Sequence, residues 1–187
     1  MSKILTYPNK VLRKKSEEIR ELDKKTLKDI NFLIKELESA ENGAGLAAPQ
    51  VGISKRFFGI KDENKEVKVF INPKVIKSWG EKVYSKTIDE MKREEDFLEG
   101  CLSFPDYFGT VKRFLKIKVA WQEKVGNNLI DREEVLEGYR AIVWQHESDH
   151  LDGIVFVDRV KEEGGKFYKW DGKEMISSNV GEVLKND

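Results

Sequence analysis

Apolar residues recur at two different periods along this 187-residue chain, and the changes of period mark its predicted elements. Starting at Asp23, the positions Leu27, Ile30, Leu33 or Ile34, and Leu37 fall three and four apart. That spacing predicts a helix with Asp23 as its N-cap and Asn42-Gly43 as its stop. Phe57 to Lys61 and Val67 to Asn72 are dense in apolar and aromatic residues and flank the turn-prone Asp62-Glu63-Asn64, so they predict two strands, with a turn at Asn72-Pro73. Thr110 to Arg113 and Leu115 to Gln122 predict two more, the second from the alternation Leu115, Ile117, Val119, Trp121. Gly126-Asn127-Asn128 predicts a hairpin turn. A second helix is then expected from Asp131 or a neighbour, with Val135, Tyr139, Ile142 or Val143, His146 and His150 as one inward stripe and Gly153 as its left-handed stop. Ile154 to Val157 predicts a short apolar strand.

Less regular stretches separate these elements. The first twenty residues predict an extended arm anchored by Leu12. Segment 78–97 is charged, with the isolated apolar residues Trp79, Val83, Tyr84, Ile88, Met91 and Phe97, and predicts a surface excursion with partial strand or helix structure. Beyond Lys161 the pattern weakens and predicts a loosely held tail. The fold expected is α+β, one domain over residues 1–187, with short antiparallel strands packed around one central helix and an N-terminal helix beside it.

Composition narrows the function classes. The 34 basic and 34 acidic residues cancel without a long run of either sign, so no footprint for nucleic acid or an anionic membrane is present. The sequence offers no apolar core suited to a signal peptide and no run able to span a bilayer, which predicts a cytoplasmic protein. A single cysteine, Cys101, cannot form an internal disulfide and suits a reducing compartment. The run Gly43 to Gly52 lacks the Gly-Lys-Ser/Thr of a phosphate-binding loop; its small residues suit a close turn or pairing with an extended peptide.

The chain's only two histidines both fall in His146-Glu147-Ser148-Asp149-His150. Four residues apart on a helix, two imidazoles share one face and can close on one metal ion, with Glu147 placed for proton transfer. A catalytic site of this kind needs a third protein ligand, and Cys101 is a strong candidate as thiolate. The pattern by itself leaves two other readings. A zinc peptidase would draw its third ligand from downstream, at Asp158, Glu162 or Glu163. A noncatalytic, metal-stabilised binding module would close the site with a fourth ligand and have no use for Glu147.

Three separated stretches resemble the signature motifs of bacterial peptide deformylases: Gly-Ala-Gly-Leu-Ala-Ala-Pro-Gln (43–50), Glu-Gly-Cys-Leu-Ser (99–103) and Gln-His-Glu-Ser-Asp-His-Leu-Asp-Gly (145–153). The resemblance runs from about Leu12 to Phe156 in the family's own order. It implies removal of the formyl group from the N-terminal formyl-methionine of nascent polypeptides, near the ribosome, with release of formate. Cys101, His146 and His150 would hold one divalent metal, ferrous iron in the cell, with zinc, nickel or cobalt able to replace it. Glu147 would be general base and acid, and Gln50 with the backbone N–H of Leu102 would stabilise the oxyanion. Gly45, Glu99 and Gly100 are expected on the substrate side, and Tyr139, Ile142 and Val143 around the methionine side chain. Two departures stand out: segment 78–97 is longer than the family commonly needs, and Phe108 falls where many members carry an arginine that grips the substrate backbone.

Overall fold

In the computed structural model, which describes residues 4–88 and 94–184, helix α1 (Lys24–Ser39) begins where the N-cap pattern places it. Asp23 Oδ1 accepts the Thr26 N–H at 2.6 Å, and Ile30, Leu33 and Leu37 form the buried stripe. The arm before it contains a short 3-10 turn, Lys10–Arg13, whose Leu12 is fully buried.

A five-stranded sheet follows, built from β1 (Gly45–Ala47), β2 (Phe57–Lys61) and β3 (Val67–Trp79). β3 runs straight through the turn expected at Asn72-Pro73. Asn72 takes φ +50°; its backbone N–H donates to Arg56 O at 2.8 Å, while its side chain accepts the Ile19 N–H at 2.8 Å and donates to Ile19 O and Gln122 Oε1, tying the strand to the N-terminal arm and to Gln122. Segment 78–97 forms strand fragments β4 (Val83–Tyr84), β5 (Lys86–Ile88) and β6 (Glu94–Asp96), the last two paired with each other. Residues 89–93, with Met91, lie outside the described residues.

β7 (Glu99–Cys101) and β8 (Phe104–Gly109) belong to a second sheet, and β9 (Lys112–Arg113) pairs with β4. β10 (Lys116–Val125) and β11 (Asn128–Glu137) complete the first sheet in the order β1-β2-β3-β10-β11. Here the expected helix start at Asp131 is overturned. Asn128 to Glu137 pairs residue for residue with Val125 back to Lys116, and a strand so paired cannot also wind into a helix. Val135 is consequently 44% exposed, outside any inward stripe, whereas Leu136 is buried at 3%. Gly138, at φ +57°, makes the corner into α2 (Gly138–Leu151), which ends ahead of Gly153 at φ +74° as expected.

Successive strand side chains point to opposite faces. On one face Leu46, Phe57 and Ile71 pack with α1; on the other Ala47, Phe58 and Phe70 pack with α2. Trp144 of α2 meets Phe58 and Phe70 edge-on, with ring centroids 5.0 and 4.7 Å away. This contact fixes the roll of α2 about its axis, and with it the direction of the histidines.

The run after Gly153 is α3 (Phe156–Glu163), where a strand was expected. Asp158 Oδ2 accepts the Val155 N–H at 2.9 Å and starts the helix, and Phe156, Val157 and Val160 bury one face. The segment beyond Lys161 is also tied down. β12 (Phe167–Trp170) pairs with β8, β13 (Met175–Ser177) adds to it, and α4 (Val180–Val183) packs near α3. The second sheet thus runs β13-β12-β8-β7, and Phe167 is buried against Phe156.

Candidate metal centre

Two edge strands, β1 and β7, face each other across a cavity of about 480 Å³, and α2 forms its floor. Helical spacing brings His146 and His150 together with ring centroids 5.1 Å apart. Cys101 ends β7, where the pairing with β8 slips between Gly100 and Cys101, and its Sγ lies 3.2 Å from His150 Nε2. One donor atom each from Cys101, His146 and His150 lies within 4.8 Å of the others, the sole such group of three among the described residues. A thiolate with two imidazoles is a donor set for iron, zinc, nickel or cobalt rather than magnesium or calcium. The residues therefore fit a transition-metal ion.

The surrounding charges favour that use. Burial alone would raise the Cys101 thiol, but His150 beside it and hydrogen bonds to His146 and His150 outweigh this and bring it down to about 5. The thiolate is the form that binds metals. Burial opposes protonation of His146, yet its bonds to Cys101 and Glu99 hold its pKa well above the usual histidine value; a cation bound to the same thiolate would balance its charge instead of that proton. His146 Nδ1 is 2.9 Å from Glu99 Oε2, which leaves Nε2 for the cluster.

Glu147 is 4% exposed, and its Oε2 has no hydrogen-bond partner among the described residues. Burial pushes its carboxyl up to about 7, against the opposing positive charge of His146 and then His150. The absence of a side chain at Gly45 makes room for it, since a Cβ there would lie 2.5 Å from Glu147 Oε1. Gln50 is buried with its ends sorted: Oε1 accepts the Ala47 N–H at 2.8 Å, and Nε2 is 3.2 Å from Ser103 Oγ and 3.5 Å from Cys101 Sγ.

Gly45, Gln50, Gly100, Leu102, Tyr139, Ile142 and Val143 all line the cavity, as does Phe108. Tyr139 is 56% exposed at the mouth, with its ring edge-on to Phe97 at 5.9 Å. The Phe108 ring covers Gly100 so closely that a Cβ on residue 100 would come within 2.9 Å of it. Glu99 lines the cavity as well. Its carboxylate accepts two bonds from Arg113, at 2.8 and 2.9 Å, and faces His146. Burial works against its ionisation, yet Arg113 and then His146 hold it at about 2.

The downstream carboxylates of the peptidase reading are engaged elsewhere: Asp158 with Arg13, Glu162 with Arg159, and Glu163 with the Lys112 N–H. Arg113, Ser103 and Phe97 were not singled out for roles from the sequence. Ser103 sits inside a quoted motif, but a lone arginine in a short strand carries no local signal.

A family model described as polypeptide deformylase matches residues 1–166. The peptide deformylase of Thermotoga petrophila is 40% identical over 161 residues, covering 86% of this chain and 87% of that protein. That of Leptospira biflexa is 37% identical over 163 residues, covering 85% and 87%. Among solved structures, the Thermotoga maritima peptide deformylase superposes with a TM-score of 0.70 at 37% identity, over 85% of this chain and 97% of that one. The Legionella pneumophila enzyme gives 0.69 at 34% identity, over 83% of each. With its signature motifs meeting at one cavity and its relatives matching over most of their length, the chain belongs to the polypeptide deformylase family.

Proposed function

We propose that Cys101, His146 and His150 hold the divalent metal of this peptide deformylase, and that Glu147 and Gln50 act with it to remove the N-formyl group from formyl-methionine at the start of nascent polypeptides. The observation that carries the assignment is the three-donor cluster beside a buried Glu147 carboxylate whose Oε2 has no hydrogen-bond partner among the described residues. The metal, when bound, supplies Lewis acidity and makes water a nucleophile near neutral pH. Ferrous iron is our reading for the cell; zinc, nickel and cobalt suit the same donors. We place the enzyme in the cytoplasm near the ribosome. That placement is supported by the nature of its substrate and by the lack, among the described residues, of a helix long and apolar enough to cross a membrane.

The chain's own residues divide the work. Glu147, with its carboxyl near 7, can take a proton from the attacking water and return it to the departing amine, a role worth ~10²- to 10⁴-fold. Gln50 is held by the bond at its Oε1 end, and its Nε2, which in the described structure donates to Ser103 Oγ and weakly to Cys101 Sγ, is our side-chain donor for the negative charge that develops on the formyl oxygen once the sulfur is taken up by a metal. The backbone N–H of Leu102 follows directly after Cys101 and is our second oxyanion donor. The free edges of β1 at Gly45 and of β7 at Gly100 suit an extended substrate backbone laid between them. Tyr139, Ile142 and Val143 supply an apolar wall for the methionine side chain, and α2 anchors the whole as the central, metal-binding helix. Phe108 offers a ring where a guanidinium would bond the peptide, so the backbone grip relies on the strand edges.

The test is anaerobic, metal-loaded protein given a formyl-Met tripeptide and its acetyl analogue, with formate, free amine and metal content measured together. Formate from the first alone is expected. Glu147→Gln should keep the metal and lose turnover by at least ~10²-fold; loss of metal in that variant would remove Glu147 from the proton-transfer role.

A further inference from the structure

Behind the three donors, a chain of buried ion pairs leaves the cavity and emerges on the far side of α2. Glu99 Oε2 faces both His146 Nδ1, at 2.9 Å, and Arg113 Nη2, at 2.9 Å. Arg113 Nη1 donates to Asp149 Oδ2 at 2.5 Å. Arg159, on α3, donates to both oxygens of Asp149, from Nη2 at 2.7 Å and from Nε at 3.2 Å. Side-chain exposure rises outward along the chain, from 4% at Glu99 and Arg113 to 13% at Asp149 and 22% at Arg159.

The connectivity closes a loop. Asp149 lies three residues after His146 on α2, while Glu99 lies two residues before Cys101 on β7. Arg113 on β9 is therefore bonded at one edge of its guanidinium to the strand that carries the sulfur ligand. At the other edge it is bonded to the helix that carries both nitrogen ligands. We propose that Asp149 and Arg159 are positioning residues which, through Arg113 and Glu99, clamp the two halves of the ligand set together and so govern how long the metal stays bound. The inference rests on the metal reading of Cys101, His146 and His150.

The physical reason lies in the rigidity of the guanidinium plane. Its five donors have fixed directions, so the orientation of Arg113 is set only while carboxylates hold both edges. Asp149 can serve that purpose while Arg159 grips it bidentately from α3. Charges also balance along the chain, with two carboxylates against two guanidinium groups. Removing Arg159 leaves Asp149 to be steadied by Arg113 alone. Arg113 then tilts toward Asp149 and draws the shared Glu99 Oε2 away from His146. Groups that orient a histidine ligand directly typically contribute ~10- to 100-fold to metal affinity, and one link further out a smaller effect, about 3- to 10-fold, is expected.

The experiment uses the full-length chain loaded with cobalt. Cobalt release to excess chelator is followed by its visible spectrum, and the thermal midpoint is recorded in parallel, for wild type, Arg159→Met, Arg159→Lys and Asp149→Asn. Arg159→Met should release cobalt about 3- to 10-fold faster. Arg159→Lys, which restores charge without the bidentate grip, should fall between it and wild type. Combining Arg159→Met with Glu99→Gln should add little to the release rate of Glu99→Gln alone, because both act through one chain. If that double variant does not fold, Arg159→Met combined with the milder Glu99→Asp puts the same question, and Arg159→Met combined with Asp149→Asn tests the outer link, where release no faster than from Asp149→Asn alone is expected.

Release at the wild-type rate from Arg159→Met, even with a lowered thermal midpoint, would make the pair a purely structural contact and overturn the proposal. Fully multiplicative effects on release in the double variant would overturn the route through Glu99. Wild-type protein that binds no cobalt would sink the metal reading and the clamp with it, whereas wild-type protein that binds cobalt but fails the variant tests sinks the clamp alone.

Discussion

Gly45→Ala tests how closely the backbone of β1 is packed on the Glu147 carboxylate, the proton carrier of our proposal. A Cβ at residue 45 would lie 2.5 Å from Glu147 Oε1, 2.8 Å from its Cδ and 2.9 Å from its Cγ. Ordinary contact begins near 3.4 Å, so the carboxylate must retreat by roughly 1 Å. It can shift, because Oε2 is not tied by a hydrogen bond to a described residue and Glu147 lines the cavity. Gly45 is not among the residues of positive φ, so alanine meets no backbone strain there, and the thermal midpoint should shift by only a few degrees. Catalysis should suffer far more, since a misplacement of ~1 Å can cost about 10²-fold. The assay is steady-state deformylation of a formyl-Met tripeptide by metal-loaded protein, with metal content and thermal midpoint recorded alongside. A fall in kcat of about 10²-fold at full metal occupancy is expected. A kcat within about threefold of wild type would refute the packing argument, and a loss confined to KM would assign Gly45 to the substrate backbone alone.

Gln50→Leu removes the amide that spans Ala47, Ser103 and Cys101. Metal content should be unchanged while kcat falls on the order of 10²-fold, as for one oxyanion donor; a variant with undiminished kcat would dismiss Gln50 from that role. Glu99 sets an acid limit. Its folded pKa is depressed from 4.5 to about 2, so its stabilisation is fully present above about pH 4.5 and is lost as pH falls towards 2. The amount is on the order of 3 kcal/mol. Denaturant titrations from pH 6 to 2.5 should show Glu99→Gln with a distinctly flatter acid limb, and parallel curves would contradict the assignment. Asp23→Ala deletes the cap of α1 and should cost about 1 kcal/mol in the same titrations at neutral pH, with activity intact; a change below the error of the fit would mean that backbone groups or water replace the cap.

Local pattern was enough for several features. The bond between Asp23 and Thr26, the stripe Ile30, Leu33 and Leu37, and the close of α2 before Gly153 all depend on successive residues no more than four positions apart. The pairing of His146 with His150 belongs to the same class, because a helix places any two residues four apart on one face. Other elements depended on partners distant in the chain. Asn128 to Glu137 has spacing that can be read as helical, but ten cross-strand pairs with β10 decide for a strand, and Gly138 then turns the corner. Ile154 to Val157 is too short an apolar run to distinguish strand from helix, and the cap from Asp158 decides it. Phe167 gains a core only from partners distant in the chain, Tyr107 and Phe156 among them, so the segment around it looked loose when read alone.

The metal centre divides along the same line. Motif spacing brings two imidazoles to one helix face with Glu147 one step round from them, whereas the distance from Cys101 to His150 depends on how β7 is docked against α2. Arg113 is the clearest case of what tertiary structure alone decided. In the chain it is one arginine in a charged, apolar-flanked strand; folded, it is buried and bonded at once to Glu99 and Asp149. The low dielectric around it makes each of those pairs matter, and no residue within four positions of Arg113 contributes to either of them.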